Sequence, residues 1–373
     1  MKGRRIMNGA RWNGTNSGRR AGALLVMGMA ALLALAGCGK KGGGNDNAPA
    51  PGGSSADNGK GSTTSVPLVV GLVLDKGGKD DKSFNSAAFA GATQAAKDTG
   101  ITLKDVETMD DAMFEPSIRS FAERGYGLII GIGFAQKEPI ERAARDFPNV
   151  HFAIVDAKVD LPNVASLMFD EHQGSFLVGA IAASTSESGT VGFVGGMDTP
   201  LIRRFEMGYE AGARAVKPDV KVLSNFVGVT SDAWNNPTRG KELATTQYRR
   251  GADVIFAAAG ASGLGVFDAA EEMDRFVIGV DANQNWIKPG FVLTSMLKRV
   301  DRAVYQVIKD AAAGQFKGGV ITFGLANEGI DYALDEYNEA ILTPPVQAVA
   351  DSLKKEILAG RITVPDYYLQ ERP

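Results

Sequence analysis

The sequence predicts an α/β protein built on parallel β-sheet, and three observations support this. Short apolar runs rich in β-branched residues alternate with longer amphipathic stretches, the pattern of strand–helix–strand units. The short runs are apolar at nearly every position, as expected for strands that helices cover on both faces. The units continue over about 305 residues, more than one hydrophobic core normally serves, so we predict two α/β lobes.

The elements follow in order from these two patterns. The predicted buried strands are residues 68–74 (LVVGLVL), 127–133 (GLIIGIG), 151–156 (HFAIVD), 190–196 (TVGFVGG), 253–260 (DVIFAAAG) and 275–281 (RFVIGVD), with 292–297 (VLTSML) as a further candidate. The predicted helices are residues 85–98, 116–124, 139–147, 174–184, 201–216, 237–250 and 263–272.

The N-terminus has the features of a bacterial lipoprotein signal peptide. Six Lys and Arg residues precede an apolar run at 21–36, which is followed by Gly37 and Cys38. The run is shorter than the roughly 20 residues that a stable membrane span needs. We therefore predict residues 1–37 to be a cleaved signal and Cys38 to receive the lipid anchor.

Residues 38–66 are predicted to be a lipid-anchored flexible linker. After Cys38 this stretch consists mainly of Gly, Ser, Pro, Asn and Asp, with too few apolar side chains to form a core. A chain of this length and composition spans roughly 30 Å. We expect the folded part to lie in the cell envelope, near the membrane, facing the periplasm or the cell exterior.

The charge argues against a nucleic-acid-binding protein, and the cysteine content excludes a protein stabilised by intramolecular disulfides. Residues 1–37 contain six cations and no acid, so their removal lowers the formal net charge from −3 to −9. An acidic surface argues against nucleic acid as a partner. Cys38 is the only cysteine, so an intramolecular disulfide is excluded and the core alone must hold the domain together. We expect a monomer.

Polar and aromatic side chains follow the predicted strands, where parallel sheets bind their ligands. Carboxylates and a lysine suit hydroxyls and ring N–H groups, and aromatic faces suit a flat ring, so the pattern indicates a neutral polar ligand that has both. The candidate residues at these positions are Asp75, Phe84, Asn85, Phe134, Asp156, Phe205, Gly260, Asp281 and Lys298.

Each candidate also has an ordinary structural explanation. Asp75 and Asp281 are equally well explained as caps of helices or Asx turns. An isolated Phe such as Phe84 or Phe205 more often packs at a helix start or in the core. Lys298 at a strand end would normally be a solvated charge. The residues therefore indicate a site only as a group.

Whole segments of the chain resemble the basic membrane protein family, the lipoprotein nucleoside receptors of ABC importers. The resemblance extends from about residue 68 to 365, and the motifs DDKSFN, GGMDTPLIRRFEMG and TSMLKRVD are specific in combination. The other segments that carry it are GLVLDKGGKDDKSFNSAAFAG (71–91), FAIVDA (152–157), GADVIFAAAGASGLGVFDAA (251–270) and IGVDANQ (278–284).

The resemblance implies a type I periplasmic-binding-protein fold, in which two Rossmann-like lobes are joined by three hinge crossovers. Lobe 1 would then comprise residues 67–170 and 298–318, and lobe 2 residues 171–297 and 319–373. The resemblance further implies that the lobes close on a ligand and that the loaded protein is presented to an ABC permease. It also implies that no cofactor is needed.

The resemblance also implies roles for individual residues. Phe84 and Phe205 match the aromatic pair that sandwiches a purine from opposite lobes. Asn85 and Asp156 match polar groups at the edge of the base.

Ribose contacts are implied for three more positions, namely Asp281, Lys298 and the backbone near Gly260. Asp75 matches an acidic position close to the ligand. Trp234 lies where the family varies, so a rim contact stays open but surface packing is favoured.

The sequence lacks the motifs that an enzyme acting on nucleosides would need, but it leaves other kinds of receptor open. An enzyme acting on nucleosides needs a metal cluster, a nucleophile or a phosphate cradle, and the sequence has no Walker A motif, while GASGLG (260–265) is explained as a tight turn. His151 and His172, the only histidines, are expected to be structural and to bind no metal. A sugar or autoinducer receptor of the same fold, and a ligand sensor for a membrane kinase, stay open as alternatives.

Overall fold

A computed structural model describes residues 68–370 of the 373-residue chain. The predicted signal peptide, Cys38 and the predicted linker lie outside these residues. Within residues 68–370, twelve β-strands and nine α-helices alternate along the chain, which confirms the predicted α/β class. No helix in this range is both long and apolar enough to cross a bilayer.

Strands and helices have the following bounds. The strands are β1 (Val69–Leu74), β2 (Thr102–Glu107), β3 (Leu128–Ile132), β4 (His151–Val155), β5 (Val164–Phe169), β6 (Thr190–Met197), β7 (Lys221–Gly228), β8 (Val254–Ala258), β9 (Phe276–Asp281), β10 (Val292–Lys298), β11 (Gly319–Phe323) and β12 (Ile330–Tyr332). The helices are α1 (Phe84–Thr99), α2 (Phe114–Glu123), α3 (Lys137–Asp146), α4 (Glu171–Thr185), α5 (Pro200–Val216), α6 (Pro237–Arg249), α7 (Gly263–Met273), α8 (Val300–Ala312) and α9 (Pro344–Leu358).

The strands form two six-stranded sheets, one in each lobe. The first sheet has the order β11-β5-β4-β3-β1-β2 and is parallel throughout. The second has the order β12-β10-β9-β8-β6-β7 and is parallel except for β12, which runs antiparallel to β10. Since the two sheets repeat one topology, β4 in the first lobe corresponds to β9 in the second.

Helices cover both faces of each sheet, which explains why the central strands are apolar throughout. Side chains of α2 and α3 pack on one face of the first sheet, and those of α6 and α7 on one face of the second. On the remaining faces α1 packs against α8 and α4 against α5. The contact of α4 with α5 is close, because a Cβ added at Gly212 would collide with the carbonyl oxygen of Phe176.

The chain passes between the lobes three times, and one crossing differs from the expected position. The crossings lie at Asp170, at Arg299 and in the segment 324–329. The expected lobe boundary at Gly318 is therefore five residues too early, because β11 still pairs with β5 in the first sheet. The chain changes lobes after β11, and β12 then joins β10. As an edge strand, β11 (GVITF) has four exposed residues out of five, although Thr322 is the only polar one among them.

Candidate functional site

A cavity lies between the carboxyl ends of the two sheets. Both lobes contribute to its wall. Nine residues singled out from the sequence line this cavity: Asp75, Phe84, Asn85, Phe134, Asp156, Phe205, Gly260, Asp281 and Lys298. Their positions at strand ends explain the convergence, because equivalent ends of both parallel sheets face one another.

The first lobe supplies a rigid polar corner made by Asp75, Asp81 and Asn85. Asn85 Oδ1 accepts a hydrogen bond from the backbone N–H of Asp75 at 2.9 Å, and Asn85 Nδ2 donates to Asp81 Oδ2 at 3.1 Å. Asp81 also caps the start of α1, accepting from the backbone N–H of Ser83 at 2.8 Å. These bonds tie the end of β1 to α1, and they leave Asn85 one amide N–H for a ligand.

Two aspartates occupy equivalent strand ends, Asp156 after β4 and Asp281 at the end of β9. Both have left-handed backbone conformations, with φ of 68° and 64° respectively. A positive φ is uncommon in residues other than glycine, but Asp adopts this conformation more readily than most residues do. Both side chains line the cavity and are buried. The shared backbone turn therefore places one carboxylate from each lobe at the cavity.

Lys298, at the end of β10, is the central cation of the cavity and is 1% exposed. Its Nζ lies 2.6 Å from Asp156 Oδ2 and 3.2 Å from Glu171 Oε1. The same nitrogen lies 5.2 Å from the ring centroid of Phe84 and 5.6 Å from that of Phe205. Rings from opposite lobes thus lie within cation–π distance of one ammonium group.

Burial alters the proton affinity of the carboxylates. It raises the pKa of Asp75 to about 6, and repulsion from Asp111 and Asp81 adds to the effect. Burial also raises the pKa of Asp281 to about 6, against the opposing attraction of Lys298.

The strongest shift among these carboxylates belongs to Asp156. Burial raises its pKa to about 7, Lys298 opposes the rise, and Glu171 and Asp281 add to it. Burial alone would lower the pKa of Lys298, but attraction by the three carboxylates outweighs burial and raises it. Lys298 is therefore charged at neutral pH, and Asp156 binds its proton more tightly than an exposed Asp does.

One polar atom of the cavity has no protein partner. Asp156 Oδ2 bonds to Lys298, but Asp156 Oδ1 is buried without a hydrogen bond from any residue in 68–370. A buried acceptor left unpaired costs free energy. This oxygen is therefore a natural acceptor for an N–H or O–H group of a ligand.

Besides the contact of Lys298 with Asp156, further direct contacts hold the lobes together around the cavity. Ser83 Oγ donates to Asp281 Oδ2 at 2.5 Å, and Gln284 Nε2 donates to the carbonyl oxygen of Lys82 at 2.9 Å. At the mouth, Lys76 Nζ lies 2.6 Å from Asp232 Oδ1. The structure is thus a closed arrangement of the lobes.

Trp234 was expected to be in surface packing, but it belongs to the cavity wall. Its ring lies against Gly196, where an added Cβ would collide with the indole. Glu171, the buried partner of Lys298, was not identified from the sequence. Its position directly after the first crossover was the available signal, because crossovers lie beside the cleft.

The two histidines lie in structural environments, as expected. His172 Nδ1 is 3.0 Å from Arg204 Nη2, and the ring of His151 stacks on Phe316 with centroids 4.2 Å apart. In residues 68–370 there is no group of three His, Cys, Asp or Glu residues arranged to hold a metal ion.

Comparisons with known proteins agree with this architecture. The family model described as Bmp, ABC transporter substrate-binding protein PnrA-like, matches residues 68–367. The ABC transporter nucleoside-binding protein BmpA of Lactococcus lactis subsp. cremoris is 35% identical, over 80% of this chain and 89% of that protein. An uncharacterized lipoprotein of Pyrococcus furiosus is 33% identical, over 72% of this chain and 71% of that protein.

A solved structure extends the likeness to three dimensions. An ABC transporter solute-binding protein from Aeropyrum pernix has a TM-score of 0.74 at 30% identity, covering 80% of this chain and 94% of that chain. Together with the two sheets and three crossovers, this confirms the type I periplasmic-binding-protein fold expected from the sequence.

Proposed function

Because this chain belongs to the Bmp family of PnrA-like ABC transporter substrate-binding proteins, we propose that its substrate is a purine nucleoside, captured between the two lobes. Membership of this family makes it a binding protein and not an enzyme. The name of the Lactococcus lactis relative, a nucleoside-binding protein, supports the nucleoside as substrate.

The observation that carries the proposal is the pair of aromatic rings at the cavity. Phe84 belongs to the first lobe and Phe205 to the second, and both line the cavity. Their centroids lie 5.2 Å and 5.6 Å from the same Lys298 nitrogen. A flat base is the kind of group that two facing aromatic side chains hold well.

The base edge is assigned to Asp156 and Asn85. Asp156 Oδ1 is buried without a protein donor, and a purine ring N–H satisfies it. Asn85 retains one amide N–H that can donate to a base nitrogen or oxygen.

The ribose is assigned to Asp281, Lys298 and the backbone near Gly260. Asp281 accepts from ribose hydroxyls while Lys298 donates to them, and the backbone at Gly260 supplies further polar groups. Gly260 has a φ of 55°, a left-handed conformation that suits glycine and brings backbone close to the cavity. Asp75 provides an additional acceptor nearby.

Capture follows from the division of the site between lobes. Each lobe holds half of the contacts, so a nucleoside binds the closed form more tightly than the open one and shifts the population toward it. The bonds from Ser83 to Asp281 and from Gln284 to Lys82 add to closure. The permease then receives the closed, loaded form.

Attachment to the membrane through Cys38 completes the proposal. The signal-like residues 1–37 and the polar linker support it, as does the lipoprotein name of the Pyrococcus furiosus relative. A tether of roughly 30 Å allows the binding lobes to turn toward a permease.

The test is to identify the ligand and to divide its affinity between base and sugar. Mass spectrometry of material released by denaturing the purified protein is expected to give a nucleoside mass. Calorimetry with inosine, guanosine, hypoxanthine and ribose is expected to show nucleosides binding most tightly and ribose most weakly. Ribose that binds as tightly as inosine would instead establish a sugar receptor.

The ribose assignment has its own matched pair of variants. Asp281→Ala is expected to weaken nucleoside binding more than binding of the free base, because a hydrogen bond to a charged group contributes about 1.5–3 kcal/mol. Ser83→Ala removes the bond to Asp281 but leaves the carboxylate, so its effect is expected to be nearly equal for nucleoside and base. Equal losses in Asp281→Ala would remove Asp281 from the ribose site.

A further inference from the structure

Five side chains of alternating charge, here called the row, lead from the cavity to the C-terminal segment that follows α9. They are Asp156, Lys298, Glu171, Arg204 and Asp366. Lys298 Nζ contacts both Asp156 Oδ2, at 2.6 Å, and Glu171 Oε1, at 3.2 Å. The other carboxylate oxygen of Glu171 accepts from Arg204 Nη1. Arg204 in turn binds Asp366 through two parallel hydrogen bonds, from Nε at 2.7 Å and from Nη2 at 2.8 Å.

The row is buried and Arg204 is saturated with partners. Lys298 and Glu171 are each 1% exposed and Arg204 is 4% exposed. Arg204 Nη1 also donates to the carbonyl oxygen of Phe169 at 2.8 Å, and its guanidinium lies 4.4 Å from the ring centroid of Tyr368. In an environment with little water, neighbouring charges affect one another more strongly than at the surface.

The row connects parts of the molecule that are distant in sequence. Asp156 is at a strand end of the first lobe, whereas Glu171 and Lys298 each lie next to a crossover between lobes. Arg204 directly precedes Phe205 on α5. Asp366 follows α9 in the C-terminal segment and is not part of the cavity wall. Asp366 therefore reaches the site through Arg204 and Glu171.

We propose that Asp366 is a positioning residue for the ligand site, acting through Arg204 and Glu171 on the contact between Lys298 and Asp156. With Asp366 present, Arg204 has a second carboxylate partner, and Glu171 is shared between Arg204 and Lys298. Lys298 is in turn shared between Glu171 and Asp156. The inference rests on the proposed function only in taking this cavity as the ligand site.

The sign of the effect follows from the charges. In Asp366→Asn the guanidinium of Arg204 keeps Glu171 as its nearest ionic partner, with Asp170 Oδ1 4.0 Å away, so it draws Glu171 away from Lys298. Lys298 then pairs more fully with Asp156, and the loss of one negative charge acts in the same direction. Both effects lower the pKa of Asp156, which burial raises to about 7.

Three charged groups act most strongly on Asp156. Lys298 opposes the rise in pKa, while Glu171 and Asp281 contribute to it. Tyr368, from the C-terminal segment, also lies near enough to interact with Asp156. Asp366→Asn leaves all four of these groups in the chain, so a change in titration reports the row itself.

The experiment is a carboxyl carbon NMR titration of Asp156 in the ligand-free protein, with the signal assigned by its loss in Asp156→Asn. Asp366→Asn is expected to lower the midpoint by roughly half a pH unit, the effect of one charge acting across intervening ion pairs. Asp366→Glu keeps the charge and is expected to restore the wild-type midpoint.

A matched control is available in the same part of the chain. Glu356 and Arg361 also form a two-bond carboxylate–guanidinium pair, at 2.5 Å and 2.8 Å, but this pair is solvent-exposed and outside the row. Glu356→Gln is expected to leave the Asp156 midpoint unchanged. A folded Asp366→Asn variant with the wild-type midpoint would overturn the proposal, even if its melting temperature is lower.

The wild-type protein gives a second measurement that needs no stable variant. The carboxyl signal of Asp366 is expected to show an inflection at the Asp156 midpoint, and its absence would also overturn the proposal. Because no ligand is used, a shifted midpoint without nucleoside binding would contradict the proposed function alone. Nucleoside binding without the shift would contradict only the role of Asp366.

Discussion

At the scale of single residues, Lys298 has the largest effect on the character of the site. A buried ammonium is costly, and here two carboxylates and the rings of Phe84, Phe169 and Phe205 offset that cost. The carboxylates exceed the cations around it, so Asp156 retains a proton affinity near neutral pH. Ligand groups that donate hydrogen bonds therefore suit this cavity better than groups that accept them.

The aromatic pair gives the first residue-scale prediction. Phe84→Ala or Phe205→Ala is expected to weaken nucleoside binding about 5- to 150-fold, because stacking of a base on an aromatic ring contributes roughly 1–3 kcal/mol. The free base should lose a similar factor. Calorimetry measures both affinities.

Phe89→Ala is a matched control for Phe84→Ala. Both residues are half-buried on α1, and Phe89 has a lysine nitrogen, that of Lys79, at 5.2 Å from its ring centroid. Phe89 does not line the cavity, so its loss is expected to leave the affinity unchanged. Unaltered binding in both cavity variants would remove the pair from the site.

The second residue-scale prediction concerns pH. Burial raises the pKa of Asp156 to about 7, well above its unfolded value, so the folded state binds this proton more tightly than the unfolded state does. This contribution to stability is present below a pH of about 4 and is lost as the pH rises to about 7. The melting temperature of the wild type, relative to that of Asp156→Asn, is therefore expected to rise on acidification.

Ligand binding should have the opposite pH dependence, because the ionised Asp156 is the better acceptor. The increase in melting temperature that inosine causes is expected to shrink as the pH falls from about 8 to about 5. Scanning calorimetry with and without inosine measures both trends. If the wild type loses stability relative to Asp156→Asn on acidification, the inferred raised pKa is wrong.

At the scale of elements, the loop between β1 and α1 is the part of the first lobe that contacts the second most directly. Its residues Lys76, Lys82 and Ser83 meet Asp232, Gln284 and Asp281, respectively. The last two contacts are in part buried, whereas the side chain of Asp232 is 79% exposed. The buried contacts should therefore contribute more to closure than the ion pair at the mouth.

This ranking gives a quantitative prediction for the ion pair. Asp232→Ala is expected to weaken nucleoside binding by no more than about 5-fold, since exposed ion pairs contribute at most about 1 kcal/mol. The loss should appear mainly as faster dissociation and should diminish in high salt. Stopped-flow dissociation rates at two salt concentrations measure it.

A double-mutant cycle with Lys76→Met isolates the pair. Once Asp232 is replaced, replacing Lys76 is expected to have little further effect on dissociation. Losses that simply add in the double variant would show that the two residues act separately.

At the scale of the whole molecule, two lobes of one topology enclose the cavity and three crossovers connect them. Two of the crossovers lie next to Glu171 and Lys298, just after the ends of β5 and β10. A hinge therefore lies beside the buried ion pair that these two residues form. Lys298 and Asp156 belong to different sheets, so their contact spans the two lobes.

The whole-molecule prediction concerns attachment to the membrane. Cys38→Ala is expected to release the protein from membranes or to leave it as an uncleaved precursor, because the lipid is the proposed anchor. Affinity for nucleosides should not change, since the cavity residues all lie in 68–370. Fractionation after a high-salt wash, with the wild type as control, measures release. Processed Cys38→Ala protein that stays in the membrane pellet would contradict the anchor.

Much of the fold and site was predictable because both depend on local patterns. The apolar strands β1, β3, β4, β6, β8 and β9 and the residues after them are visible in the sequence, and the rule that ligands lie at strand ends joins them. The strands β2, β5, β7, β11 and β12 were not predicted. Polar residues interrupt the apolar runs of the partly exposed strands β2 and β7. β5 is buried, so exposure does not explain why it was missed.

The sequence by itself determined the α/β class, the strand-end residues of the cavity and their resemblance to a family of receptors. Only the tertiary structure decided how those residues pair. Lys298 and Asp156 are 142 residues apart, and Arg204 and Asp366 are 162 apart, yet both pairs are in hydrogen-bond contact. Such partners depend on the crossing of the chain between lobes, and the third crossing lies later than expected. Hydrophobic periodicity shows which face of a single helix or strand is buried. Which charged side chains become buried together depends on contacts between elements that are distant in the sequence, and only the tertiary structure sets those contacts.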